Sequence, residues 1–249
     1  MSAAVEEALS QAREIDSDFR EFFDTVNSVM DWVPGFLEHL IQPIIDGLGW
    51  LGDKIKEFWD SIADVLDNTG SPSKLEAHAE ILSSTIMPAL HDISDKITPS
   101  KLPSNIEWSG SGATAYFGVV GEQKASAETA RDLAGELSNT LKELANGIED
   151  FWIAMGIAFA ALIVGTVAAI VEACTVVGIP PAIVTIIAAI GIALGAITAA
   201  IVALKAIFDT IDTSQDKIDQ GLVKLGEDWA MATPEAQAKI DDPGEWKPS

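Results

Sequence analysis

The sequence predicts an all-α protein, an elongated bundle of six to eight helices with a central hydrophobic helical hairpin. Three observations lead there. Apolar residues recur at spacings of three and four along most of the chain, with no strand-type alternation. Residues 151–204 hold a single charge, Glu172. The remainder is strongly acidic, for a formal net charge of −23 over 249 residues. That length allows one or two domains with a sizeable core.

The first helix spans residues 3–31, with Val5, Leu9, Ala12, Ile15, Phe19, Phe22, Phe23, Val26 and Val29 as its apolar stripe. Pro34-Gly35 breaks it with turn chemistry. A second helix covers 44–66, its stripe of Leu48, Leu51, Ile55, Phe58/Trp59, Ile62 and Val65/Leu66 close to a heptad rhythm. "DNTGSPS" ends this unit and offers Ser73 as the next N-cap. The third helix, 74–97, directs Leu75, Leu82, Ile86, Leu90, Ile93 and Ile97 inward and is kinked at Pro88. After a loop with two prolines, the helical pattern resumes at Ala113 and runs into the apolar region without a proline between. A last helix, 207–232, places Ile207, Ile211, Ile218, Leu222 and Leu225 on one side, and a polar tail then frays. The domains expected are 1–70, 71–150, 151–208 and 209–249.

The apolar run divides at "VVGIPP", because Gly178 followed by Pro180 and Pro181 does not continue a helix. Its arms, Phe151–Val171 and Ala182–Leu204, each reach the roughly 20 residues needed to span a bilayer core. Small residues recur every fourth position: Ala161, Gly165, Ala169 and Ala173 on one arm, Gly191, Gly195, Ala199 and Ala203 on the other. Such faces let helices approach closely in lipid. Glu172 is expensive in hydrocarbon while ionised, and marks a solvated helix end, a carboxylate that snorkels at the far interface, or a group carried across protonated at low pH. Three arrangements fit: a buried hairpin in a soluble core, a permanent two-span anchor, or a hairpin sheltered by the acidic amphipathic helices and inserted later.

The charge distribution argues against nucleic acid and anionic lipid as partners. Residues 1–70 carry fifteen acids against four bases, and 209–249 ten against four, so no basic face exists for nucleic acid or anionic lipid. Cys174 is the sole cysteine, and His39, His78 and His91 lack metal-ligand spacing. Neither a nucleophile elbow nor a phosphate-binding glycine loop is present, so no enzyme, cofactor or metal is expected. The N-terminus has no basic region followed by an apolar core, and so no conventional signal peptide.

Around Trp108, "EWSGSGATAYF" places Trp108 and Gly110 in a turn between helical patterns, followed by Gly112, Ala113, Ala115, Tyr116 and Phe117. Residues 72–150 thereby resemble the ESAT-like WXG family of type VII secretion substrates, a bacterial family. The resemblance implies a helix–turn–helix module with the indole packed between its helices, and export without a cleaved leader. The family's Tyr-x-x-x-Asp/Glu export signal is absent, since Tyr116 is followed by Val120. Export would then use a helical partner carrying that signal. Larger effectors of this family join such a module to a C-terminal toxin, which here leaves the hairpin as the active part. Helical pore-forming toxins and channel-forming bacteriocins are the nearest functional analogue. The expectation is a secreted, membrane-inserting pore-former whose partner is a lipid bilayer. It would form a homo-oligomer through its small-residue faces and end associated with a membrane or the cell envelope. The alternative is a two-span membrane or adaptor protein that binds other WXG-type helical proteins.

Overall fold

α1 (Ala3–Met30) and α2 (Glu38–Asp67) are amphipathic and contribute the first two walls of a helical bundle. In the computed structural model, residues 2–34, 38–68, 70–102, 108–228 and 247–248 are described. α3 (Pro72–Ile81) continues through a π turn (Leu82–Ile86) into α4 (Met87–Lys96). Two long helices complete the set, α5 (Ser111–Glu172) and α6 (Ile179–Asp228). The all-α class holds, with one two-residue antiparallel pairing of β1 (Trp108–Ser109) and β2 (Lys247–Pro248) beside the helices.

Two of the helices are longer than expected. α5 takes in both the 113–150 helix and the first apolar arm, and α6 takes in the second arm and the C-terminal helix. Nothing at residues 150 or 205 interrupts the backbone bonding, because neither junction holds a proline or glycine pair. α2 begins six residues before Ile44 and carries Pro43 inside it, at the loss of one bond back to the carbonyl of residue 39. α3 begins at Pro72, so Ser73 lies within the helix rather than capping it. Proline suits the first helical position, where its missing N–H has no partner to lose. Pro88 is accommodated by the π turn, in which the Met87 N–H reaches back to the Leu82 carbonyl. One extra residue in the turn rotates the face that follows it, where Ile93 is exposed and Ser94 is buried.

The chain forms two compact units, each from two separate stretches: 1–73 with 145–207, and 74–144 with 208–249. The first is an up-down-up-down set of four helical segments. The α1 residue Gln11 lies beside Gly156, and the later α1 residues Ser17 to Val29 line one cleft with Cys174, just past the end of α5, so the two segments run parallel. α2 returns in the opposite direction, with Leu9 and Ala12 near Trp59 and Leu66. Gly47 of α2 meets Ile183 of α6, and Phe58 stands edge-on to Phe159, ring centroids 6.4 Å apart. Val5, Ile15, Phe22, Phe58, Trp152, Phe159, Leu162 and Ile186 are all fully buried in one core. Each such side chain contributes about 1.5–3 kcal/mol by leaving water.

The second unit has a core of small residues. Ala79, Ala113, Ala127, Ala134 and Ser138 are buried, and the Ser138 hydroxyl donates to the Ala79 carbonyl at 2.8 Å. A Cβ at Gly221 would stand 2.4 Å from Leu133, so the glycine permits α6 to approach α5 there. Leu222, expected inward, is exposed. Residues 229–232 and most of the tail lie outside the described residues; Lys247 and Pro248 are those paired with the Trp108 strand.

Candidate functional site

The apolar hairpin is built by the end of α5 and the start of α6, turned at residues 173–178. Gly178 is demanded by close approach rather than by backbone angle: a Cβ there would fall 1.8 Å from the Glu172 carbonyl oxygen. Its N–H bonds to the Thr175 carbonyl at 2.9 Å, which closes the turn. Pro180 and Pro181 do not break the chain between the arms, as the sequence implied. They occupy the first turn of α6, where helix N–H groups are unpartnered in any case. Glu172 sits at the tip and accepts a hydrogen bond from the Thr185 hydroxyl at 3.0 Å, which ties the two arms together.

The inward faces of both arms belong to the core. The outward faces do not. Ile153, Ile157, Val164, Val167 and Val171 project from α5 into solvent, as do Val184, Ile192 and Val202 from α6. Val164 is 70% exposed and Ile192 68%. The most apolar 18-residue windows of α5 and α6 are only 33% and 28% buried. Both helices are long and apolar enough to cross a membrane. A helix this apolar all round is ordinarily buried on every side in a soluble core, whereas these two bury one face and expose the other.

The small residues divide by face. A Cβ at Gly165 would meet the Ala189 Cβ at 2.5 Å, so this glycine brings the arms together. Ala169 and Ala173 are buried beside it. Gly191 and Gly195 face open space, and Ala199 on the same stripe is exposed. The sequence pattern is the same on both arms; which stripe meets a partner is a tertiary matter.

α1 covers the inner side and presents acids outward. Asp18 is half-buried, and one of its carboxylate oxygens is sealed from water with no hydrogen-bond partner. Burial, then the neighbouring Glu14 and Glu21 charges, pushes its pKa up. At the other candidate motif, Trp108 pairs in backbone register with Pro248, and its indole lies outside the described side chains. Gly110 has φ of 109°, a left-handed conformation that favours glycine, and its carbonyl accepts from the Thr114 N–H at 3.1 Å in the first turn of α5. Among the described residues no three His, Cys, Asp or Glu side chains come together as a metal site. No family model, curated protein or solved structure matches this chain.

Proposed function

We propose that this chain is a membrane-inserting protein of the pore-forming kind, stored with its hairpin half-covered and acting through residues 151–204. The observation that carries the reading is the outward face of the two arms, aliphatic from Ile153 to Val202 and interrupted by no charge except Glu172 at the tip. Arms of 21 and 23 residues span about 30 Å or slightly more at 1.5 Å per residue, the thickness of a bilayer core. In the mechanism, α1 and α2 leave the inner faces, and the hairpin enters lipid tip first with both of its ends remaining on the side of entry. The Gly165–Ala189 contact holds the arms together. The Gly191, Gly195 and Ala199 stripe is then free to pack on another copy.

A permanent two-span anchor fits less well. The acids on the outer faces of α1 and α2, such as Glu7, Glu14 and Asp60, would be drawn into hydrocarbon beside the arms. For export, the resemblance around Trp108 and Gly110 supports a type VII-type route with a helical partner, and this part rests on the sequence alone.

The test is release of dye from liposomes by protein purified without detergent. Leakage with protease protection of residues 151–204 is expected. Val164→Lys and Ile192→Lys, both on the exposed face, leave the soluble fold intact and lose leakage, since a mid-bilayer lysine costs about 2.5–3.5 kcal/mol. A soluble protein that neither leaks dye nor gains protection on adding lipid overturns the reading.

A further inference from the structure

The tip end of the first unit carries a second feature that the hairpin itself does not explain. The C-terminal turns of α1 line an open cleft of about 600 Å³ together with Cys174, with Asp24, Ser28 and Val29 on its wall. The α1–α2 turn, residues 31–34, therefore lies at the same end as the hairpin turn. Gly47 against Ile183 puts the start of α2 there too. This end exposes Trp32 (88%), Val177 (86%) and Val171 (70%), with Trp50 and Ile45 about half exposed.

A tight turn in a soluble protein is ordinarily polar, and a tryptophan left almost wholly in water loses the burial that its large ring would gain. At a membrane surface the same residue is well placed, because its ring sits at the headgroup level, apolar body inward and N–H toward water. The charges at this end choose the surface. Glu21, Asp24, Asp31, Asp46 and Glu172 stand against Arg20. An anionic surface is repelled by that set, whereas a zwitterionic one is not. We infer that the Trp32–Trp50–Val177 end is the docking face of the stored form, and that its partner is a zwitterionic lipid surface.

The inference rests on reading the chain as membrane-inserting, but docking is measured separately from insertion. Cys174, free and exposed at the tip, carries an environment-sensitive dye without any substitution. With the full chain and phosphatidylcholine vesicles, the dye should brighten and the protein should float with the vesicles. Trp32→Ala and Trp50→Ala should each weaken partition by about ten-fold, the scale expected for an aromatic ring's buried area, with unchanged helicity. Adding phosphatidylglycerol should weaken binding further at low salt.

Leakage that persists equally in Trp32→Ala, with equal partition, overturns docking and leaves insertion standing. Docking through Trp32 without leakage does the reverse. Tighter binding to anionic vesicles overturns the assigned lipid class. Loss of self-association rather than of lipid binding in Trp32→Ala means that the face belongs to a second copy, and the inference falls.

Discussion

Two halves of one bundle make the instructive comparison. α1 and α2 bury apolar stripes and turn acids toward water, as surface helices do. The hairpin arms bury their own stripes against them, yet turn valine and isoleucine outward. The inner faces meet the same demand, so the fold accounts for both. It accounts for only one of the outer faces. A bundle in water gains nothing from Val164 or Ile192, and the proposed entry into lipid is what would give their face a use.

That contrast can be broken by substitutions on either side of one arm. Phe159→Ala, at a fully buried position against Phe58, should lower unfolding free energy by about 3–5 kcal/mol. Ile157→Ala, two residues away on the exposed face, should change it by less than about 0.5 kcal/mol. Urea unfolding followed by circular dichroism measures both. Equal losses would mean that the outer face is covered in solution and that the comparison fails.

The glycines sharpen it at a smaller scale. Gly165→Ala forces a methyl group against Ala189 and should destabilise by about 1–3 kcal/mol. Gly178→Ala should cost more than about 1 kcal/mol, because a backbone carbonyl must move. On the open stripe, Gly191→Ala has room and should instead raise stability by about 0.5–1 kcal/mol, read as a higher Tm. If Gly191→Ala also reduced leakage, the open stripe would be a contact between copies in the membrane.

The smallest effect concerns acid. The folded pKa of Asp18 lies above its usual value, so the folded form binds the proton more tightly than the unfolded chain. Stability from this group therefore rises as pH falls through the raised value, and acid tightens the hold of α1 rather than loosening it. Asp18→Asn should stabilise the first unit at neutral pH, with the gain vanishing as pH falls to the ordinary carboxylate value of 3.8. Asp95 behaves oppositely. Its hydrogen bond from Lys101, 2.5 Å long, holds its pKa down, and its contribution is lost as pH falls through that lowered value. Thermal melts at several pH values separate the two; a gain from Asp18→Asn that persisted in acid would overturn the assignment.

Much of the fold was legible because its signals are local. The stripe of α1 from Val5 to Val26 is a 3.6-residue period, and all of its buried members except Ala8 were readable from apolar spacing. The hairpin was legible from length and missing charge. The turn was legible from Gly178, although its reason is the Glu172 carbonyl rather than the two prolines. The face of α3 and α4 was less so. A π turn shifts the phase by one residue, and the choice between bending at Pro88 and widening the turn before it depends on what Ala79 and Ser94 pack against.

The sequence by itself determined the helical class, the acidic surface and an apolar pair long enough for a bilayer, since each arises from composition and neighbours within a few turns. Only the tertiary structure decided which side of that pair is covered. The stripes of Gly165 and Gly191 have the same spacing and chemistry, and the packing of one arm on the other at Ala189 distinguishes them. Tertiary packing also carried Trp32 to the end of the bundle where the hairpin turns, a neighbourhood that no local pattern encodes.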